Sequence, residues 1–89
     1  MQNYLKKQKS KNNFSAVVML CGYPFLQINN GRELVIEGNC RILEYTESVL
    51  GVLCKGKRIT VNGRNLDVRL MDSTALVVCG VLISVCFGE

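Results

Sequence analysis

Along most of the chain, apolar and polar side chains take turns in short runs, and each run closes on Gly, Asn or Asp. In extended backbone successive side chains point to opposite faces, so this period of two predicts half-buried strands. The clearest runs are Arg58 to Gly63 and Asn65 to Leu70. Ile59 and Val61 share one face against Arg58 and Thr60, and Leu66, Val68 and Leu70 share one against Asp67 and Arg69. Between the runs, Asn62-Gly63 supplies the positive backbone dihedrals of a two-residue turn, which predicts a hairpin there.

In chain order the pattern predicts strands over Phe25–Ile28, Glu33–Glu37, Arg41–Thr46 and Val49–Cys54, separated by Asn29-Asn30-Gly31, Gly38-Asn39 and Glu47-Ser48. Gly51 marks a bulge in the fourth of these. Lys55-Gly56-Lys57 opens the central hairpin, and Asp72-Ser73-Thr74 turns the chain after it. Ala75–Cys79 and Val81–Phe87 follow, divided by Gly80. This last pair is apolar on both faces, which fits central strands or a surface kept for a partner. Ahead of the first strand, the apolar stretch from Phe14 to Leu26 is broken by Gly22 and Pro24 and predicts a short helix or strand lying over the sheet. Residues 34–38, 59–63 and 76–80 echo one another, each placing alternating aliphatics before a glycine. Their unequal spacing favours hairpins with a shared turn chemistry over a regular solenoid. The expected fold is all-β: a small, mostly antiparallel meander of seven to eight short strands, arranged as a single curved sheet, a sandwich or a roll. It divides into a flexible, disordered basic tail over residues 1–13, with or without a short helix after it, and a single β-domain over residues 14–89.

Size and composition narrow this picture. The chain has 89 residues, enough for one domain with a thin core, and 48% of them are hydrophobic with one Pro, which argues for folding over disorder. The net charge of +4 resides wholly in Lys6, Lys7, Lys9 and Lys11; the remaining seven basic residues balance the seven acids. Those four lysines are the candidate contacts for an anionic surface, and a binder of nucleic acid or anionic membrane acting through them is the alternative function. The basic start and the run Ala16 to Cys21 imitate a secretory leader, yet no clean cleavage site follows and the run is far short of the ~20 residues that span a bilayer.

Chemistry is sparse. With no His, serine–histidine and cysteine–histidine nucleophiles are excluded. Glu33 and Glu37 read as the solvated face of a strand, and no phosphate-cradling glycine spacing occurs. Cys21, Cys40, Cys54, Cys79 and Cys86 are odd in number, contain no Cys-x-x-Cys pair and mostly sit in apolar runs, so they read as small hydrophobes in a reducing compartment. The sequence therefore predicts no enzyme, no catalytic residue, no metal and no cofactor. Tyr23, Tyr45 and Phe87 are too scattered for a base-stacking platform, which argues against nucleic acid for the domain itself. A partner protein, or a second copy, would meet a sheet edge or the apolar C-terminal hairpin, with Leu82, Val85 and Phe87 as candidate contacts. A pocket lined by Cys79, Cys86 and Phe87 is a third expectation.

The order of these runs resembles the YabP/YqfC family of sporulation proteins. The resemblance rests on Pro24-Phe25-Leu26-Gln27-Ile28, Gly31 to Glu37, Ile42 to Thr46, Ile59 to Leu66, and a closing Gly80-x-Leu82-x-x-Val85-x-Phe87. It covers about Ala16 to Phe87. It implies a non-enzymatic structural or scaffolding role in endospore formation, in the cytoplasm of the mother cell or at a membrane periphery beside a membrane-associated sporulation protein. It brings no catalytic residue, and Gly38-Asn39 and the five cysteines depart from the family's usual pattern.

Overall fold

Seven strands account for most of the chain in a computed structural model that describes residues 14–19 and 22–88. They are β1 (Ala16–Val18), β2 (Leu26–Asn29), β3 (Glu33–Glu37), β4 (Cys40–Tyr45), β5 (Val49–Cys54), β6 (Lys57–Met71) and β7 (Ala75–Phe87). All pair antiparallel in one sheet of order β1-β2-β3-β7-β6-β5-β4. The described residues contain no helix, and the segment left open between helix and strand is the edge strand β1. None of them forms a helix long and apolar enough to cross a membrane.

One short connection dictates the overall shape. β3 and β4 are third and seventh in the sheet, which in a flat sheet would set them ~19 Å apart, four strand spacings. Only Gly38 and Asn39 join them, and three Cα steps reach at most about 11 Å. The sheet must therefore roll until its two ends lie face to face. The run of hairpins expected from sequence is interrupted here, because β3 pairs with β7 instead of with β4.

Packing agrees with the roll. Leu26, Leu34, Ile36, Leu76 and Val78 from one half meet Cys40, Leu50, Val52, Cys54, Ile59 and Val61 from the other in a single buried cluster, with Leu66 at the corner. A methyl group on Gly38, in the first half, would lie 3.0 Å from Cys54 Sγ in the second.

The long ribbon of β6 and β7 belongs to both halves, and it corrects two expectations. Asn62-Gly63 is not a turn: β6 runs straight through it, with Asn62 paired to Val49 on one side and Ser84 on the other. The two-residue turn lies earlier, at Lys55 and Gly56, whose φ values of 56° and 74° fit a type I′ hairpin closing Cys54 onto Lys57. Likewise Gly80 does not divide two strands. The apolar C-terminal hairpin expected from sequence is one strand, β7, and the hairpin that contains it is β6–β7.

The glycines are needed because the strands crowd. A methyl group on Gly63 would sit 2.2 Å from Val81 O, and one on Gly80 would sit 2.7 Å from Asn65 O. Bulges flank this crossing. In β6 an extra residue between Arg64 and Asp67, with Asn65 at φ 54°, shifts the inward set from Ile59, Val61 and Gly63 to Leu66 and Val68. In β7 the extra residue is Ile83, which shifts it from Leu76, Val78 and Leu82 to Val85 and Phe87. Each bulge keeps apolar side chains inward while the ribbon bends. The bulge expected near Gly51 is in its partner strand, at Leu43 between Ile42 and Glu44.

At the corner where β6 becomes the edge of its half-sheet, other groups take up its amides. Gly63 N–H donates to Ser48 O (3.0 Å) and Leu66 N–H to Glu47 O (2.8 Å). Val68 N–H donates to the Tyr45 hydroxyl (3.0 Å). Tyr45→Phe should cost about 1 kcal/mol, read from the urea midpoint; an unchanged midpoint would mean that water replaces the hydroxyl without loss.

Candidate strand-docking groove

The opposite corner has the same start and no such closure. Gly80 N–H donates to Arg32 O and Leu82 N–H to Gly31 O, both at 3.0 Å. Beyond Leu82, no described strand pairs with β7 on the side away from β6. Gly88 N–H donates to Arg58 O (2.9 Å), and ladder bonds alternate along an antiparallel pair. Ser84 and Cys86 therefore turn their backbone groups toward β6, while Val85 and Phe87 turn theirs to the free side.

Beside that edge lies a cleft of ≈ 300 Å³. Ala16 and Val18 of β1 and Leu26 and Ile28 of β2 form one wall; Leu82, Val85 and Phe87 of β7 form the other. Phe14 and Gly31 close the end where the paired edge stops, and Gly31 N–H donates to Phe14 O there. At the other end the Tyr23 ring stands edge-on to Phe87, centroids 5.4 Å apart. Lys57 Nζ lies 5.4 Å from the centre of that same ring. The cleft is thus mainly apolar, with the exposed Ile83 and Ser84 also on its lining, and it has unpaired amides on one side and a cation at one mouth.

The three candidate contacts Leu82, Val85 and Phe87 do come together, but on the wall of a groove and not on a hairpin. The pocket expected from Cys79, Cys86 and Phe87 is not formed. Of these only Phe87 lines the cleft, because Cys79 and Cys86 have the opposite parity along β7. Lys6, Lys7, Lys9 and Lys11 lie outside the described residues, as does Cys21. The β1 and β2 wall was missed; its signal was the alternation of Ala16 and Val18 within a stretch that reads as merely apolar.

Sequence reasoning also missed a thiol pair. Cys40 and Cys54 face each other across β4 and β5 and are both buried. Burial first, then the hydrogen bond and charge of Cys54, push the Cys40 thiol from its ordinary 9.0 up to about 12. A thiol held protonated is a poor nucleophile. Aromatic-disulfide titration of a Cys21→Ser variant at neutral pH should therefore modify exposed Cys86 first, and Cys40 and Cys54 only with unfolding. Rapid modification of either buried thiol would contradict this packing. No group of three His, Cys, Asp or Glu side chains suited to a metal ion occurs among the described residues.

No family model, curated protein or solved structure matches the chain.

Proposed function

We propose that this chain is a non-enzymatic docking domain that works in endospore formation by holding an extended segment of a partner protein as an added strand. The carrying observation is the coincidence of the open β7 edge with an apolar cleft at the place where one more strand would continue the half-sheet β4-β5-β6-β7. Strand addition takes affinity from main-chain hydrogen bonds and selectivity from pockets for alternate side chains, and both are provided here. The sequence resemblance to YabP/YqfC proteins is what supports this process, and with it a setting in the mother cell, in the cytoplasm or against a membrane-associated partner.

The test is genetic. In a spore-forming host, deleting the gene should lower the count of heat-resistant spores. Ala16→Phe, which fills the cleft from β1, should reproduce the deletion. Val17→Lys, on the opposite face of the same strand, should not. Normal sporulation with a folded, expressed Ala16→Phe protein would overturn the proposal.

A further inference from the structure

The chemistry of the occupant follows from what surrounds the cleft, and this inference rests on the docking reading above. We infer that the groove takes a lone extended segment, antiparallel to β7, with apolar side chains at alternate positions and an acidic residue at its N-terminal end. Alternation is required because one face of an added strand meets Val18, Ile28 and Val85 while the other continues the outer row of Ser84 and Cys86. Antiparallel addition matches every pairing in the sheet and makes the stronger ladder. It sets the segment's N-terminal end beside Phe87, where Lys57 lies over Tyr23. Lys57 shares the inward parity of Ile59 and Val61, so its ammonium stands on the groove side of β6. No carboxylate among the described residues pairs with it.

Other occupants fit less well. Residues 1–13 of this chain hold no acidic side chain and no alternating apolar run, since Met1, Tyr4 and Leu5 are their only apolar members. A second copy pairing through its own β7 edge would be related by a two-fold axis normal to the sheet. Its β1–β2 hairpin would then compete with this one for the space over a single edge. A fatty acyl chain would suit the walls and leave the Val85 and Phe87 amides unused.

The probes are the acetylated, amidated heptapeptide Glu-Thr-Val-Thr-Val-Thr-Val, whose Glu shares the inward face of its valines, its Lys-first analogue, an N-methylated form lacking the amides that would face β7, and dodecanoate. The full chain should bind the Glu-first peptide, with slowed exchange at the Val85 and Phe87 amides. The Lys-first peptide should bind about threefold more weakly, the scale of one exposed ion pair. Lys57→Glu should reverse that order, and Ala16→Phe and N-methylation should each abolish binding. Equal affinity for the Glu-first and Lys-first peptides, with the amides protected, would overturn the acidic preference and leave strand docking standing. Binding of dodecanoate alone, or of no probe, would overturn both.

Discussion

Replacing Gly63 by alanine is expected to cost more than about 3 kcal/mol, above the usual range for overpacking by one methyl group. The new Cβ would lie 2.2 Å from Val81 O and 2.9 Å from Leu66 Cδ2. The first of these neighbours is backbone in a strand paired on both sides, so it cannot step aside as a side chain could. Gly80→Ala should be comparably severe, since it adds a φ of 141° to an approach of 2.7 Å from Asn65 O. Gly56→Ala supplies the comparison. Its φ is 74° with nothing within 4 Å, so it bears only the left-handed backbone penalty of about 1 kcal/mol. Small domains have on the order of 5 kcal/mol in hand, so the first two variants should be largely unfolded in denaturant concentrations that Gly56→Ala survives. Equal midpoints for Gly63→Ala and Gly56→Ala would refute the close crossing of β6 and β7.

The second large effect is alkaline. Cys40 is 4% exposed, and its thiol titrates near 12 in the folded chain against 9.0 when unperturbed. Below pH 9 both states hold the proton, and the stabilisation is fully present. Between 9 and 12 the unfolded chain loses the proton and the folded chain keeps it, so stability falls as pH rises. The slope is about 1.4 kcal/mol per pH unit, for a total of at most about 4 kcal/mol. Above 12 the folded thiol ionises too and the contribution is gone. The readout is a difference: unfolding free energy against pH for the protein and for Cys40→Ala, with the protein's curve falling more steeply. Parallel curves would mean that Cys40 is not held protonated by the fold.

These two effects also show which parts of the fold were legible. The strands β3 and β5 follow directly from alternation, since Leu34 and Ile36 point inward, as do Leu50, Val52 and Cys54. The turn at Asn30-Gly31 follows from residues that tolerate positive φ, whereas Lys55-Gly56 reads from sequence only as the start of a later hairpin. The echo ending in Gly38, Gly63 and Gly80 was visible as well, but its meaning was not. A glycine before a new apolar run signals either a turn or a place where two backbones nearly touch, and local pattern cannot separate the two. Gly63 and Gly80 are close approaches between the β6 and β7 backbones, whereas Gly38 does lie in a turn, the link from β3 to β4, with only the Cys54 side chain near it. Hence two long bent strands were read as four short ones, and a hairpin was placed at Asn62-Gly63.

The site was half legible for a related reason. Leu82, Val85 and Phe87 stand out as apolar residues in a strand apolar on both faces. Their opposite wall, Ala16, Val18, Leu26 and Ile28, becomes a wall only after the sheet rolls, and that is decided by the two-residue link from β3 to β4. The pairing of Cys40 with Cys54 is equally non-local. It depends on the register of β4 against β5, which the bulge at Leu43 shifts partway along.

Amide hydrogen exchange of the free protein, resolved residue by residue, tests the open edge most directly. Along the distal half of β7 the amides of Ser84, Cys86 and Gly88 should be protected by their bonds to β6, while those of Val85 and Phe87 exchange at nearly the rate of unstructured chain. Uniform protection from Ser84 to Gly88 would show that the edge is already occupied, and the docking site would not exist.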